Sequence, residues 1–289
     1  MINVFIGNNF PVNMADTNWL LNDLAEAKGK QELYTRQSPQ MLKALREMAL
    51  VQSVESSNRI EGVTVDRDRL RPLVLGNARP KDRSEQDIMG YRRALNLIHT
   101  EAETLPITPD LLRRLHRLCQ EGSGDAGQFK KVDNEVIQLV PGAAPVIRFR
   151  CVKAKDTPAA VDELCLLYRH ALDQDNIPPM IAIAGLVLDF LCIHPFSDGN
   201  GRMARLLTLQ LLYHFDYAVG RFSVSNKSSK SQKRVTRRHW RPVRSTGRRP
   251  RTIPRRGWIT SGVHCCGLTR NSRTASARSK VGAAQKAIG

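Results

Sequence analysis

Residues 194–205 read His-Pro-Phe-Ser-Asp-Gly-Asn-Gly-Arg-Met-Ala-Arg. His194 can exchange a proton near neutral pH. Asp198 offers a hard carboxylate oxygen, the kind of ligand Mg²⁺ takes together with substrate phosphates. Gly199 and Gly201 let the backbone adopt positive φ and approach a ligand closely. Around Asn200, free N–H groups at the start of a helix form a nest for an anion. Arg202 and Arg205 lie three apart, so they share a helix face and can grip a polyphosphate. A base, a metal carboxylate, an anion nest and two arginines are the parts that phosphoryl-type transfer requires.

Helices must carry this loop. The sequence predicts one from Ser38-Pro39, a capping residue with proline at the first helical position, through Met41, Leu42, Leu45 and Met48 to Ile60, ending near Gly62. A second follows Lys81-Asp82, and a third starts at Thr108-Pro109, with Thr108 as its cap. Val132 to Val140 and Val146 to Cys151 read as two short strands joined by Pro141-Gly142-Ala143-Ala144-Pro145. Helices resume at Thr157-Pro158, with Thr157 as the cap, and after Pro178-Pro179. The latter is apolar nearly all round from Ile181 to Leu191, as a central buried helix is. It delivers the loop, and a last apolar helix through Leu206 and Leu212 leaves it. The expected fold class is all-α with one β-hairpin, without internal repeats.

The loop matches HxFx[DE]GNGRxxR at every specified position and so resembles the signature of the Fic family. The wider resemblance spans about residues 35–222. It implies a Fic-type helical bundle and a protein adenylyltransferase, with ATP as substrate and Mg²⁺ as cofactor. His194 would be the catalytic base towards a target hydroxyl, and Asp198 the metal ligand. Pro195 and Phe196 would be structural, with Phe196 packed in the core. Gly199, Asn200 and Gly201 would form the anion hole, and Arg202 and Arg205 would bind phosphates. A kinase-like branch of the family has lysine at the position of Gly201, so glycine there favours AMP transfer. The hairpin, about 132–150, would be the flap on which a target protein docks.

Upstream, Ser57-Asn58-Arg59-Ile60-Glu61-Gly62 matches the family's inhibitory motif, [ST]xxxE[GN]. Ser57, Glu61 and Gly62 are its specified positions. Glu61, at a helix end, can form a charge-assisted pair with an arginine. If that arginine is Arg205, Glu61 competes with the γ-phosphate and ATP binds only unproductively. The expected organisation is an N-terminal helical region carrying this motif (1–105), a Fic core (106–222) and a basic tail (223–289).

Charge divides the chain at the same place. From Arg221 to Gly289 there are 19 Lys/Arg and no Asp or Glu, whereas the preceding 220 residues hold 26 Lys/Arg against 27 Asp/Glu. The body therefore gives no reason to expect nucleic acid, and only the tail could bind it. Apolar periodicity stops near Phe222, and the tail composition predicts disorder. Two readings of the tail compete: a functional basic extension, or an out-of-frame translation of a once ordinary C-terminal part, which we prefer. The six cysteines form no CxxC pair, and those of the body read as small hydrophobes. No basic leader and no run of about 18 apolar residues is present, so a cytoplasmic protein away from membranes is expected. Homo-oligomerisation stays open. Two alternatives to AMP transfer also stay open: its reversal at the same site, and a non-catalytic regulatory protein using the basic tail.

Overall fold

A computed structural model of the chain describes residues 15–31, 33, 36–138, 146–174 and 177–222. The tip of the hairpin and the basic tail lie outside these residues. Among them are eight α-helices and one two-stranded antiparallel sheet. The α-helices are α1 (Ala15–Gly29), α2 (Pro39–Ile60), α3 (Arg67–Leu75), α4 (Arg83–Glu101), α5 (Pro109–Cys119), α6 (Thr157–Asp173), α7 (Pro179–Ile193) and α8 (Asn200–His214). Strands β1 (Glu135–Gln138) and β2 (Val146–Arg150) lie between α5 and α6.

The caps explain most of the boundaries. Ser38, Asp82 and Thr108 each accept a hydrogen bond from the backbone N–H three residues on, and so start α2, α4 and α5. Helix α2 ends at Ile60, and Gly62 follows at φ 81°. The carbonyl of Asn58 accepts from the N–H groups of both Glu61 and Val63, which closes the helix and fixes where Glu61 projects.

Four readings need correction. Thr157 does not cap α6. It is the first helical residue, and its hydroxyl donates to Lys153 O at 2.9 Å, because a 3₁₀ turn, Ala154–Asp156, runs straight into the helix. Strand β1 begins at Glu135 rather than Val132. Asp133 and Asn134 are diverted from the ladder: Asp133 Oδ1 accepts from Ala154 N–H, and the Asn134 amide binds the loop after α7, at His194 O and Phe196 O. Helices α1 and α3 were not foreseen. Helix α3 has only nine residues with Pro72 among them, and proline inside a short segment masks a helical pattern.

Helix α7 is the axis of the fold. Ala182, Ile183, Leu186, Val187, Phe190 and Ile193 are all buried, and α6 and α8 pack against it. The core runs on without a break through Leu95, Ile98, Leu112, Leu115, Leu164, Leu206 and Leu211. Val54, Leu70 and Leu73, from α2 and α3, belong to the same cluster, so the N-terminal helices and the region after residue 106 share one core. Cys119, Cys151 and Cys165 are buried free thiols, and Cys192 is buried as well. Burial pushes Cys119 up to about 11 and Cys165 up to about 12, which keeps both unreactive. No helix among the described residues is long and apolar enough to cross a membrane.

Candidate active site

The end of α7 turns the chain into the loop. His194 sits there at φ 52°, a left-handed conformation uncommon outside glycine and asparagine. Its N–H still bonds to Phe190 O at 2.9 Å. The Nδ1–H of the ring donates to Leu191 O at 3.2 Å. This leaves Nε2 with its lone pair, and among the described residues Nε2 has no hydrogen-bond partner although it is buried. Burial lowers the imidazole to about 4, opposed by the Leu191 bond and reinforced by the charge of Lys130. His194 is therefore a neutral imidazole with a fixed tautomer and one unused acceptor.

Phe196 is fully buried. One face stacks on His116, with centroids 3.8 Å apart and planes 2° from parallel. The two amide atoms of Asn200 bracket the Phe196 backbone: Oδ1 accepts from its N–H at 3.0 Å and Nδ2 donates to its carbonyl at 2.7 Å. The Asn200 side chain thus holds the loop, and only its backbone N–H is left to face an anion. The first bond of the α8 ladder runs from Met203 N–H to Gly199 O, so the N–H groups of residues 200–202 are free of it. Gly199 caps the helix at φ 78°, and a Cβ there would stand 2.7 Å from Gln120 Nε2.

Asp198 is largely exposed. Its Oδ1 accepts from Gly199 N–H at 2.6 Å, and its Oδ2 lies 3.7 Å from Arg202. One exposed carboxylate beside an anion nest suits Mg²⁺, which keeps several waters and takes its other oxygens from phosphates. Arg202 is only 2 % exposed, between Asp198 on one side and Asp87 of α4, at 3.5 Å, on the other. Its Nε and Nη1 are buried and make no hydrogen bond among the described residues. A buried, under-satisfied guanidinium at a helix N-terminus is a site prepared for a phosphate.

Arg205 is already occupied. Nε donates to Ser57 Oγ at 2.7 Å, while Nη2 donates to Ser57 O at 3.0 Å and to Glu61 Oε1 at 2.7 Å. Glu61 Oε1 also lies so close over Gly201 that a Cβ there would overlap it. A carboxylate thus sits above the N-terminus of α8, held by the same dipole and arginine that would attract a phosphate.

The arrangement depends on residues that sequence reasoning missed. His116 accepts from Gly127 N–H through Nδ1 at 2.9 Å and donates through Nε2 to Asp198 O at 3.1 Å. Burial lowers it to about 4, so it stays neutral in this tautomer. Its only signal was a polar residue inside the apolar stripe of Leu112, Leu115 and Cys119. Asp87, Gln120, Lys130 and Asn134 carried no signal of their own.

The Fic/DOC family profile matches residues 106–212, from just before α5 to the last turns of α8. This chain carries a Fic domain. Solved structures agree in fold. A Fic-domain signalling protein from Bacteroides thetaiotaomicron superposes with a TM-score of 0.56 at 24 % identity, over 68 % of this chain and 73 % of that one. A Fic family protein from Desulfovibrio desulfuricans gives 0.53 at 18 % identity, over 70 % of this chain and 59 % of its own. A fragment of Fic-1 from C. elegans gives 0.55 at 18 % identity, over 70 % and 58 %. The chain thus spans less than two thirds of the latter two. The superpositions extend beyond the profile match, in keeping with the core shared by the N-terminal helices and the Fic domain.

Proposed function

We propose that the Fic domain transfers AMP from Mg²⁺-bound ATP to a hydroxyl group of a protein target, and that Glu61 restrains it. The observation that carries this reading is His194 Nε2: a buried lone pair without a partner among the described residues, its tautomer fixed by Leu191 O. It lies on the loop that also presents Asp198 and the N-terminus of α8.

In the reaction, Nε2 takes the proton of the target hydroxyl, and the oxygen forms a bond to the α-phosphorus. The bond from that phosphorus to the bridging oxygen breaks and pyrophosphate leaves. General-base help of this kind contributes about 10²–10⁴-fold. The charge spreading over the phosphates meets Arg202, already buried and dehydrated, and the first-turn N–H groups of α8. Asp198 would hold Mg²⁺, which neutralises phosphate charge. A bound polyanion also raises the imidazole from its low value and makes it a stronger base.

Arg205 must leave Glu61 to reach a γ-phosphate, and two like charges compete for one guanidinium. The docking surface in this reading is the hairpin. Among the described residues no third strand joins β1 and β2, and the outer edge of such a sheet is suited to adding an extended target segment. Val132 and Ile147 stand exposed beside it.

The test is label incorporation from α-³²P-ATP with Mg²⁺ in a cell lysate. It compares the parent, Glu61→Gly, and Glu61→Gly combined with His194→Ala. Labelling should rise in the first variant and vanish in the second. Equal labelling of parent and Glu61→Gly sinks the restraint, and labelling that survives His194→Ala sinks the base.

A further inference from the structure

His194 owes its place to a strap outside the signature. Lys130 is 4 % exposed, and its Nζ donates to Ile193 O at 2.9 Å and to Asn134 Oδ1 at 2.7 Å. Its backbone N–H donates to Pro195 O at 2.9 Å. The Asn134 amide donates to Phe196 O at 3.1 Å and, at the longer distance of 3.4 Å, to His194 O. Four consecutive carbonyls, 193 to 196, are therefore all taken by residues 130 and 134. A histidine at positive φ is a strained conformation that persists only where its surroundings over-determine it. Burying an ammonium is costly without partners, so a lysine there needs a reason. Capping the orphan carbonyl at the C-terminal end of α7 with a cation is such a reason.

We propose that Lys130 and Asn134 are positioning residues for the transfer reaction, locking the 193–196 backbone so that His194 Nε2 faces the reacting hydroxyl. This rests on the reading of His194 as base. The strap bonds only to the carbonyls of 193–196 and to none of Asp198, Arg202 and Arg205, the side chains to which the proposed function assigns the metal and the phosphates. Loosening it should therefore misplace the base and leave nucleotide binding alone. Displacement of a reacting group by about 1 Å can cost on the order of 10²-fold in rate.

The experiment is made in the full chain carrying Glu61→Gly. Lys130→Met, Asn134→Ala and the conservative Lys130→Arg are compared for kcat, KM for ATP, and the ring-nitrogen NMR signals of His194. Lys130→Met and Asn134→Ala should lower kcat about 10- to 100-fold with KM for ATP within twofold. The His194 ring should lose its single-tautomer signature in both. Lys130→Arg, which keeps a charged donor, should recover most of kcat. Parent-like kcat in folded Lys130→Met and Asn134→Ala overturns the proposal, as does a loss confined to KM. Should Lys130→Met fail to fold, Asn134→Ala, which removes the two bonds to the loop and one acceptor of Lys130 but keeps the ammonium bound to Ile193 O, decides alone. Should Glu61→Gly transfer nothing, the reading of the site fails separately. The imidazole spectrum then decides the strap, and an unchanged tautomer overturns it.

Discussion

Glu61 Oε1 and Arg205 Nη2 meet at 2.7 Å across 144 residues of sequence. The contact is not an ordinary surface ion pair. Arg205 is 8 % exposed, Ser57 is fully buried beneath it, and the glutamate lies over Gly201 at the start of α8. An exposed pair is worth little, but a pair shielded like this, with a helix dipole behind it, is worth more. A phosphate arriving at the same place would bring more charge and more oxygens, so in the proposed function ligand and glutamate compete for Arg205.

Replacing Glu61 in steps should grade that competition. Glu61→Gln keeps the shape and removes the charge, whereas Glu61→Gly removes both. Charge-assisted hydrogen bonds contribute about 1.5–3 kcal/mol. ATP affinity, measured calorimetrically with a non-hydrolysable analogue and Mg²⁺, should rise from parent to Gln to Gly, by about 10- to 100-fold in all. Three equal affinities would show that Glu61 does not share the ATP site.

Asp87 makes a different prediction. It belongs to α4, before the family match begins, yet it faces the buried Arg202 at 3.5 Å. Asp87→Asn keeps the size and leaves Arg202 with Asp198 alone, at 3.7 Å. Leaving a buried charge short of a partner should destabilise the fold by about 2–4 kcal/mol. The urea midpoint measures this. An unchanged midpoint would mean that Asp198 and water satisfy Arg202 without Asp87.

These residues show what the sequence made legible. The loop from His194 to Arg205 could be read because its chemistry is contiguous. Helices α2, α4 and α5 could be read because Ser38, Asp82 and Thr108 write their own caps. Glu61 was legible as the end of a helix, since Gly62 marks the stop. His116, Lys130, Asn134 and Asp87 were not legible, because each acts on a backbone or charge distant in sequence, and no local spacing encodes such a meeting. Helix α3 was hidden by Pro72 and its shortness, and the start of β1 by two side chains recruited elsewhere.

His116 should be as important for the loop as residues inside it. His116→Phe keeps a ring against Phe196 but orphans Gly127 N–H and Asp198 O. Each unsatisfied buried group costs about 1–3 kcal/mol. The variant should lose about 2–5 kcal/mol in urea unfolding and, with Asp198 loosened, should require more Mg²⁺ for half-maximal labelling if Asp198 holds the metal as proposed. A variant with parent-like stability and Mg²⁺ dependence would reduce His116 to packing.

Three buried histidines give the fold an acid limit. His99, His116 and His194 are each lowered to about 4, in every case chiefly by burial. Their unfolded value is about 6.5, so the unfolded chain takes up protons first as pH falls. The stability they confer is complete above pH 6.5 and is lost as pH falls from there towards 4. Between pH 7.5 and 5.0 each buried imidazole should cost up to about 2 kcal/mol. Carboxylates held low by partners, such as Glu85 against Arg69, respond only below their ordinary range and so leave this window to the histidines. Urea midpoints measured at pH 7.5 and 5.0 should therefore fall, and His116→Phe should fall less steeply than the parent. A midpoint that holds or rises at pH 5.0 would mean that the imidazoles take up protons in place, and that the loop opens to water far more readily than its hydrogen bonds imply.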